Sequence, residues 1–136
     1  STTSTANVDY VSSLGADEVI DYNEQDFRDV ISNCDAVFDT VGGEVAKGAF
    51  DVLKTGGRAA FIASGAKGLD APSSDFASLR PNVYRDRPHL ERVLKLIELG
   101  AVTPPAIKLF SLDEVLEAQE LSQSRHFRGK LVFNMR

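Results

Sequence analysis

Two stretches, Ala36-Val37-Phe38-Asp39-Thr40-Val41-Gly42-Gly43 and Leu53-Lys54-Thr55-Gly56-Gly57-Arg58-Ala59-Ala60-Phe61-Ile62-Ala63-Ser64-Gly65, decide the fold. In each, a short apolar run flows into a polar or glycine turn. Such a run suits a parallel strand buried on both faces. Open α/β sheets bind ligands at the carboxyl ends of their strands. The pair therefore predicts the second half of a nucleotide-binding sheet, with a phosphate-binding glycine loop expected upstream of Ser1.

Working outward, the pattern alternates. Asn7 to Leu14 carries Val8, Val11 and Leu14 on one helical stripe, with Thr5 or Asn7 as N-cap and Gly15 as the stop. Glu18 to Tyr22 reads as a short strand and Glu24 to Ser32 as a helix with Phe27, Val30 and Ile31 on one face. Asp35 to Thr40 is a strand, Gly43 to Leu53 a helix, Thr55-Gly56-Gly57 a turn and Arg58 to Ala63 the next strand. Strands alternating with helices predict βαβ units, a parallel sheet and right-handed crossovers. Ser64 to Pro88 reads as a loop. The helix after it should bury Leu90, Val93, Leu94 and Ile97, and Gly100 should end it. Ala106 to Phe110 is extended, Ser111 and Glu114 form a capping box opening a helix to about Leu121, and Lys130 to Met135 is the last strand.

Composition excludes several classes. The chain has 136 residues, 43% hydrophobic and 26% charged, which suits one globular domain with a real core. A net charge of −5 recommends neither nucleic acid nor an anionic membrane as partner. No apolar run approaches a membrane span. Ser1 to Thr5 lacks the features of a signal peptide and reads as a chain cut inside a domain. The single cysteine, Cys34, allows no intrachain disulfide and suits a reducing cytoplasm, where it packs as a half-buried thiol. His89 and His126 show no metal spacing, and no nucleophile–base set suggests hydrolysis, so no catalytic side chain and no metal ligand is predicted.

Five segments in order now resemble one family. Leu14-Gly15-Ala16-Asp17-Glu18-Val19-Ile20-Asp21-Tyr22 is similar to the join between the second helix and third strand of medium-chain dehydrogenase/reductases. Phe38 to Gly43 and Leu53 to Arg58 resemble the next two βα units. Ile107 to Ser111 and Arg128 to Phe133 resemble the closing segment. The nearest group is the quinone oxidoreductase branch, often labelled zinc-binding dehydrogenase although many members bind no zinc. The resemblance implies an α/β fold: a partial Rossmann domain, doubly wound and mostly parallel, lacking its first βα unit. Residues 1–100 would be the C-terminal part of that domain. Residues 101–136 would return to a GroES-like catalytic domain and contribute strand elements to it. A central strand would then be missing, so either the sheet rearranges or another chain pairs with its edge.

The same resemblance implies the cofactor contacts. The stretch Ser1 to Asn7 has no acid where a ribose-binding carboxylate would choose NAD, which allows the 2′-phosphate of NADPH. Ser4 would lie near that phosphate and Tyr22 against the adenosine. Asn7 stands where many relatives carry lysine. Thr40, Val41 and Gly42 would approach the nicotinamide ribose. Ala63, Ser64 and Gly65 would line the carboxamide side. Arg128 and Lys130 would reach phosphate or ribose oxygens.

The parent protein is accordingly expected to be an NADPH-dependent reductase of a quinone, an enone or a similar carbonyl compound, acting as a homodimer. The isolated chain, without the diphosphate loop, is expected to be inactive. Two other readings stay open at this point. One is a class I methyltransferase-like fragment, which shares the Leu-Lys-x-Gly-Gly-Arg turn. The other is a non-catalytic Rossmann-like module that only oligomerises.

Overall fold

The computed structural model describes residues 1–63, 69–82, 84–124 and 126–135. The chain divides into two compact units, Ser1–Val83 and Tyr84–Arg136. The first contains β1 (Thr2–Thr3), a 3-10 turn (Thr5–Asn7), α1 (Val8–Ser13), β2 (Ile20–Asp21), α2 (Phe27–Val30), β3 (Cys34–Asp39), α3 (Gly43–Lys47), β4 (Leu53–Phe61) and β5 (Ala77–Leu79). The second contains α4 (Arg87–Glu98), β6 (Ile107–Phe110), a 3-10 turn (Leu112–Glu114), α5 (Val115–Ser124) and β7 (Lys130–Phe133).

Among the described residues every strand pair is parallel, in keeping with the βα alternation of the sequence. The strands do not form one sheet. Unit 1 holds a two-stranded sheet, β1-β2, and a three-stranded sheet, β3-β4-β5; unit 2 holds β6-β7. In the three-stranded sheet Ala36 to Asp39 run in step with Arg58 to Phe61. Alternate β4 residues turn inward: Ala59 and Phe61 are buried, and with Ala46, Ala49, Phe50 and Leu53 they form the core of unit 1. The Phe50 ring meets Phe61 at 5.8 Å and Phe76 at 6.1 Å between centroids.

Three sequence expectations need correcting here. Thr55-Gly56-Gly57 is not a turn before the strand but lies inside β4, at an irregularity where β4 carries extra residues against Cys34 to Ala36. Gly56 has φ of +82°, which lets the chain bulge without breaking the ladder. The segment Ser64 to Pro88, read as a loop, contains β5, which at three residues is too short to announce itself. Finally, Leu90, Val93 and Leu94 on α4 are exposed and Ile97 is only half-buried. The helix is amphipathic as expected, yet among the described residues unit 2 offers only a two-stranded sheet, and its buried side chains are Phe110 and Ala118. An apolar stripe becomes core only where a second layer exists to cover it.

Unit 2 is held at both ends of its sheet. The capping box forms as the sequence predicts: Ser111 N–H and Oγ each lie 2.7 Å from Glu114 Oε2. Those bonds hold the Glu114 carboxyl below the usual carboxylate range. At the other end, Lys130 N–H donates to Ala106 O at 2.8 Å, starting the β6–β7 ladder. Gly129 precedes it with φ of +119°, and a Cβ there would run into the Ala106 carbonyl oxygen. Gly129→Ala should therefore destabilise unit 2 by more than about 2 kcal/mol, combining backbone strain with a steric clash. Gly100→Ala, at φ of +70° with open space around it, should cost only about 1 kcal/mol. Urea denaturation of the two variants checks the contrast.

Candidate cofactor site

The carboxyl ends of β1 and β2 bring three of the predicted residues into one neighbourhood. Tyr22 N–H donates to Thr3 O at 3.0 Å, which holds the end of β2 beside the end of β1. Asn7 Nδ2 donates to Ser4 Oγ at 3.1 Å across the 3-10 turn. Ser4 and Asn7 are half-buried, while the Tyr22 ring is exposed. Sequence reasoning missed two residues here. Asn23 Nδ2 donates to Thr5 Oγ1 at 3.2 Å, and Asn23 N–H donates to Asp21 Oδ1 at 3.0 Å. Asp21 to Asn23 is an Asx turn, and the Asp-x-Asn spacing was the available signal. Asp21 is an acid near this corner, and its carboxylate is engaged in that turn.

A second group lies at the carboxyl ends of β3 and β4. Asp39 is buried, at 7% exposure, and its carboxylate points into the turn that follows. Its Oδ2 accepts from Gly42 N–H at 3.0 Å and its Oδ1 from Val41 N–H at 3.3 Å. Gly42 and Gly43 both have positive φ, +78° and +65°. Thus the turn needs glycine for its geometry, and Asp39 fixes that geometry from below. The result leaves Thr40 and Val41 projecting into solvent. Ile62 N–H donates to Asp39 O at 3.0 Å, so half-buried Ala63 follows β4 next to this turn. Ser64 and Gly65 lie outside the described residues.

A groove of about 370 Å³ runs from Ser1 and Thr2 along β3 to Thr40 and Val41. Arg128 and Lys130 belong to the second unit, both exposed, on either side of Gly129 at the start of β7. Among the described residues no three His, Cys, Asp or Glu side chains gather as a metal site. A zinc ion therefore finds no ligand set among them.

Comparison with known proteins shows the family. A family model described as zinc-binding dehydrogenase matches residues 14–133. The chain belongs to that family, within the medium-chain dehydrogenase/reductases and their quinone oxidoreductase-like members. It is 32% identical over 136 residues to the 2-methylene-furan-3-one reductase of Solanum lycopersicum, covering 98% of this chain and 32% of that protein. It is 31% identical over 133 residues to the chloroplastic NADPH-dependent alkenal/one oxidoreductase of Arabidopsis thaliana, covering 96% of this chain and 32% of that protein. Among solved structures, the quinone oxidoreductase from Coxiella burnetii superposes with a TM-score of 0.80 at 30% identity, over 99% of this chain and 44% of that one. The chain thus spans about a third of the length of the curated relatives it matches. Family membership over most of the chain removes the methyltransferase reading of the Leu53 to Arg58 segment.

Asp39→Ala should destabilise the chain by about 1–3 kcal/mol, because it leaves the Val41 and Gly42 N–H groups without their acceptor. Asp39→Asn keeps one acceptor oxygen and should lose less. Urea denaturation, with amide exchange at Gly42 as the local reporter, distinguishes the two.

Proposed function

We propose that this chain forms part of the NADPH site of a reductase acting on quinones or enone-like carbonyl compounds. The observation that carries the reading is the placement of hydroxyl and amide groups at the carboxyl ends of parallel strands. Ser4 and Asn7 follow β1, Tyr22 follows β2, Thr40 to Gly42 follow β3 and Ala63 follows β4. Ligands of open α/β sheets collect at such an edge. The names of the relatives, an enone reductase, an alkenal/one oxidoreductase and a quinone oxidoreductase, support the substrate class.

On this reading the two sheets of unit 1 are the flanks of one doubly wound sheet, ordered β2-β1, a gap, then β3-β4-β5. The gap stands where the family's Rossmann sheet carries its first strand. The bound cofactor would supply the hydride, and the protein's part is to bind and orient it. Ser4 Oγ and Asn7 Nδ2 can donate to a 2′-phosphate, and the exposed Tyr22 ring can lie against the adenine. The turn held by Asp39 would present Thr40 and Val41 to the nicotinamide ribose. No side chain is assigned a covalent or proton-transfer role, since hydride transfer from a bound cofactor requires none in this chain.

The test is a titration followed by amide chemical shifts, with NADPH, NADH and S-adenosylmethionine. NADPH should shift Ser4, Asn7, Tyr22 and Thr40 to Gly42. Ser4→Asp places an acid where the 2′-phosphate would lie and should weaken NADPH binding by about tenfold, roughly 1.4 kcal/mol, with NADH little changed. Shifts at these residues with S-adenosylmethionine alone, or equal weakening of both nicotinamide cofactors, would contradict the reading.

A further inference from the structure

The corner at the ends of β1 and β2 is built from neutral donors. From Ser1 to Phe27 the chain has no Lys or Arg. The anion-binding groups that these residues supply are therefore hydroxyls and amides. Two hydroxyls share one arrangement. Ser4 Oγ accepts from Asn7 Nδ2 at 3.1 Å, and Thr5 Oγ1 accepts from Asn23 Nδ2 at 3.2 Å. A hydroxyl has one O–H and two acceptor lone pairs. An amide N–H on a lone pair turns the O–H away from it, free to donate. Among the described residues neither O–H meets a protein acceptor. Two consecutive residues thus each present a hydroxyl set as a donor. Asn23 is itself held in place. Its N–H donates to Asp21 Oδ1 at 3.0 Å, and the preceding Tyr22 N–H donates to Thr3 O at 3.0 Å. The relay runs from Asp21 through Asn23 to Thr5, joining positions 18 residues apart. It also engages one oxygen of Asp21, the acid of this corner.

We propose that Asn23 is a positioning residue for cofactor specificity: through Thr5 it aims a second hydroxyl donor beside Ser4, and so favours a 2′-phosphate over a 2′-hydroxyl. The proposal rests on the NADPH reading and adds to it Thr5 as a contact and Asn23 as the residue that aims it. A phosphate dianion accepts at three oxygens and gains most from charge-assisted hydrogen bonds. A ribose 2′-hydroxyl offers one oxygen and brings an O–H of its own, so a pair of aimed donors is of little use to it. The chain carries a net charge of −5 and the corner supplies no cation. Preference for the phosphate then comes from aimed donors and not from charge attraction. Salt would screen the pull of a lysine or arginine; here it screens only the repulsion of the chain's excess acids.

The probes are adenosine 2′,5′-bisphosphate and adenosine 5′-monophosphate, which differ only in the 2′-phosphate. Each is titrated into the 136-residue chain and followed by amide shifts. The unaltered chain should prefer the bisphosphate. Thr5→Val keeps the shape of an exposed side chain and should cut that preference about tenfold, the loss of one hydrogen bond to a charged group. Asn23→Ala should cut it about threefold, since the Thr5 hydroxyl then spreads over its three staggered positions. In the double variant Asn23→Ala should cost nothing beyond Thr5→Val, because Asn23 acts through that hydroxyl. Thr5→Ser should retain the preference. Affinity for the monophosphate should stay the same throughout, and the preference should hold or rise as salt is added. An unaltered chain with no preference for the bisphosphate would overturn the NADPH reading and this proposal with it. Three results would overturn this proposal alone: a preference that survives Thr5→Val, a further loss from Asn23→Ala in the Thr5→Val background, or a preference that falls steeply with salt.

Discussion

Everything in unit 1 depends on how the backbone groups of β3 are satisfied. Among the described strands, β4 alone is paired on both sides, by β3 and β5. A parallel sheet is stable when its faces are covered and its edges are short, paired or blunted. Here β3 is six residues long and rich in apolar side chains, the reverse of a blunted edge. The core built on Ala59 and Phe61 holds one face of the sheet, and the Asp39 turn ends β3 cleanly. What remains open is the side of β3 that looks across the groove toward β1.

That constraint explains which parts of the fold were legible in the sequence. In the second strand-then-glycine run Leu53, Ala59 and Phe61 are buried by elements present in the chain, whereas in the first, expected as a strand buried on both faces, Phe38 and Val41 are exposed. The capping box at Ser111 and Glu114 was legible because its partners are three residues apart. The elements around the groove shrank by comparison. The helix read over Glu24 to Ser32 forms only at Phe27–Val30, and the strand read over Glu18 to Tyr22 forms only at Ile20–Asp21. Phe27 and Ile31 line the open groove, and β2 pairs only with the two-residue β1, so local propensity had less packing behind it. The apolar stripe of α4 was read correctly as a stripe and wrongly as buried, because periodicity reports a face and not its cover.

The candidate site was half legible. Glycine turns after buried strands pointed to the carboxyl edge, and the hydroxyl-rich stretch before α1 pointed to Ser4 and Asn7. Asp39 closes a strand in the sequence without any mark of its partners, and its buried carboxylate sets the positions of Val41 and Gly42. Its role depends on hydrogen bonds to backbone N–H groups, which composition and spacing do not display. Asn23 and Thr5 were missed for another reason. They meet only because β1 and β2 pair, a contact between positions 18 residues apart.

The most direct test of this account is amide exchange of the chain alone, read residue by residue across β1, β3 and β4. The account places a free edge on β3 and a fully paired strand at β4. Ala59 to Phe61 should be the most protected amides, while Thr2–Thr3 and the outward-facing amides of Cys34–Asp39 exchange quickly. Uniform protection running from β1 through β3 would mean one continuous sheet, with no open edge and no groove between its halves.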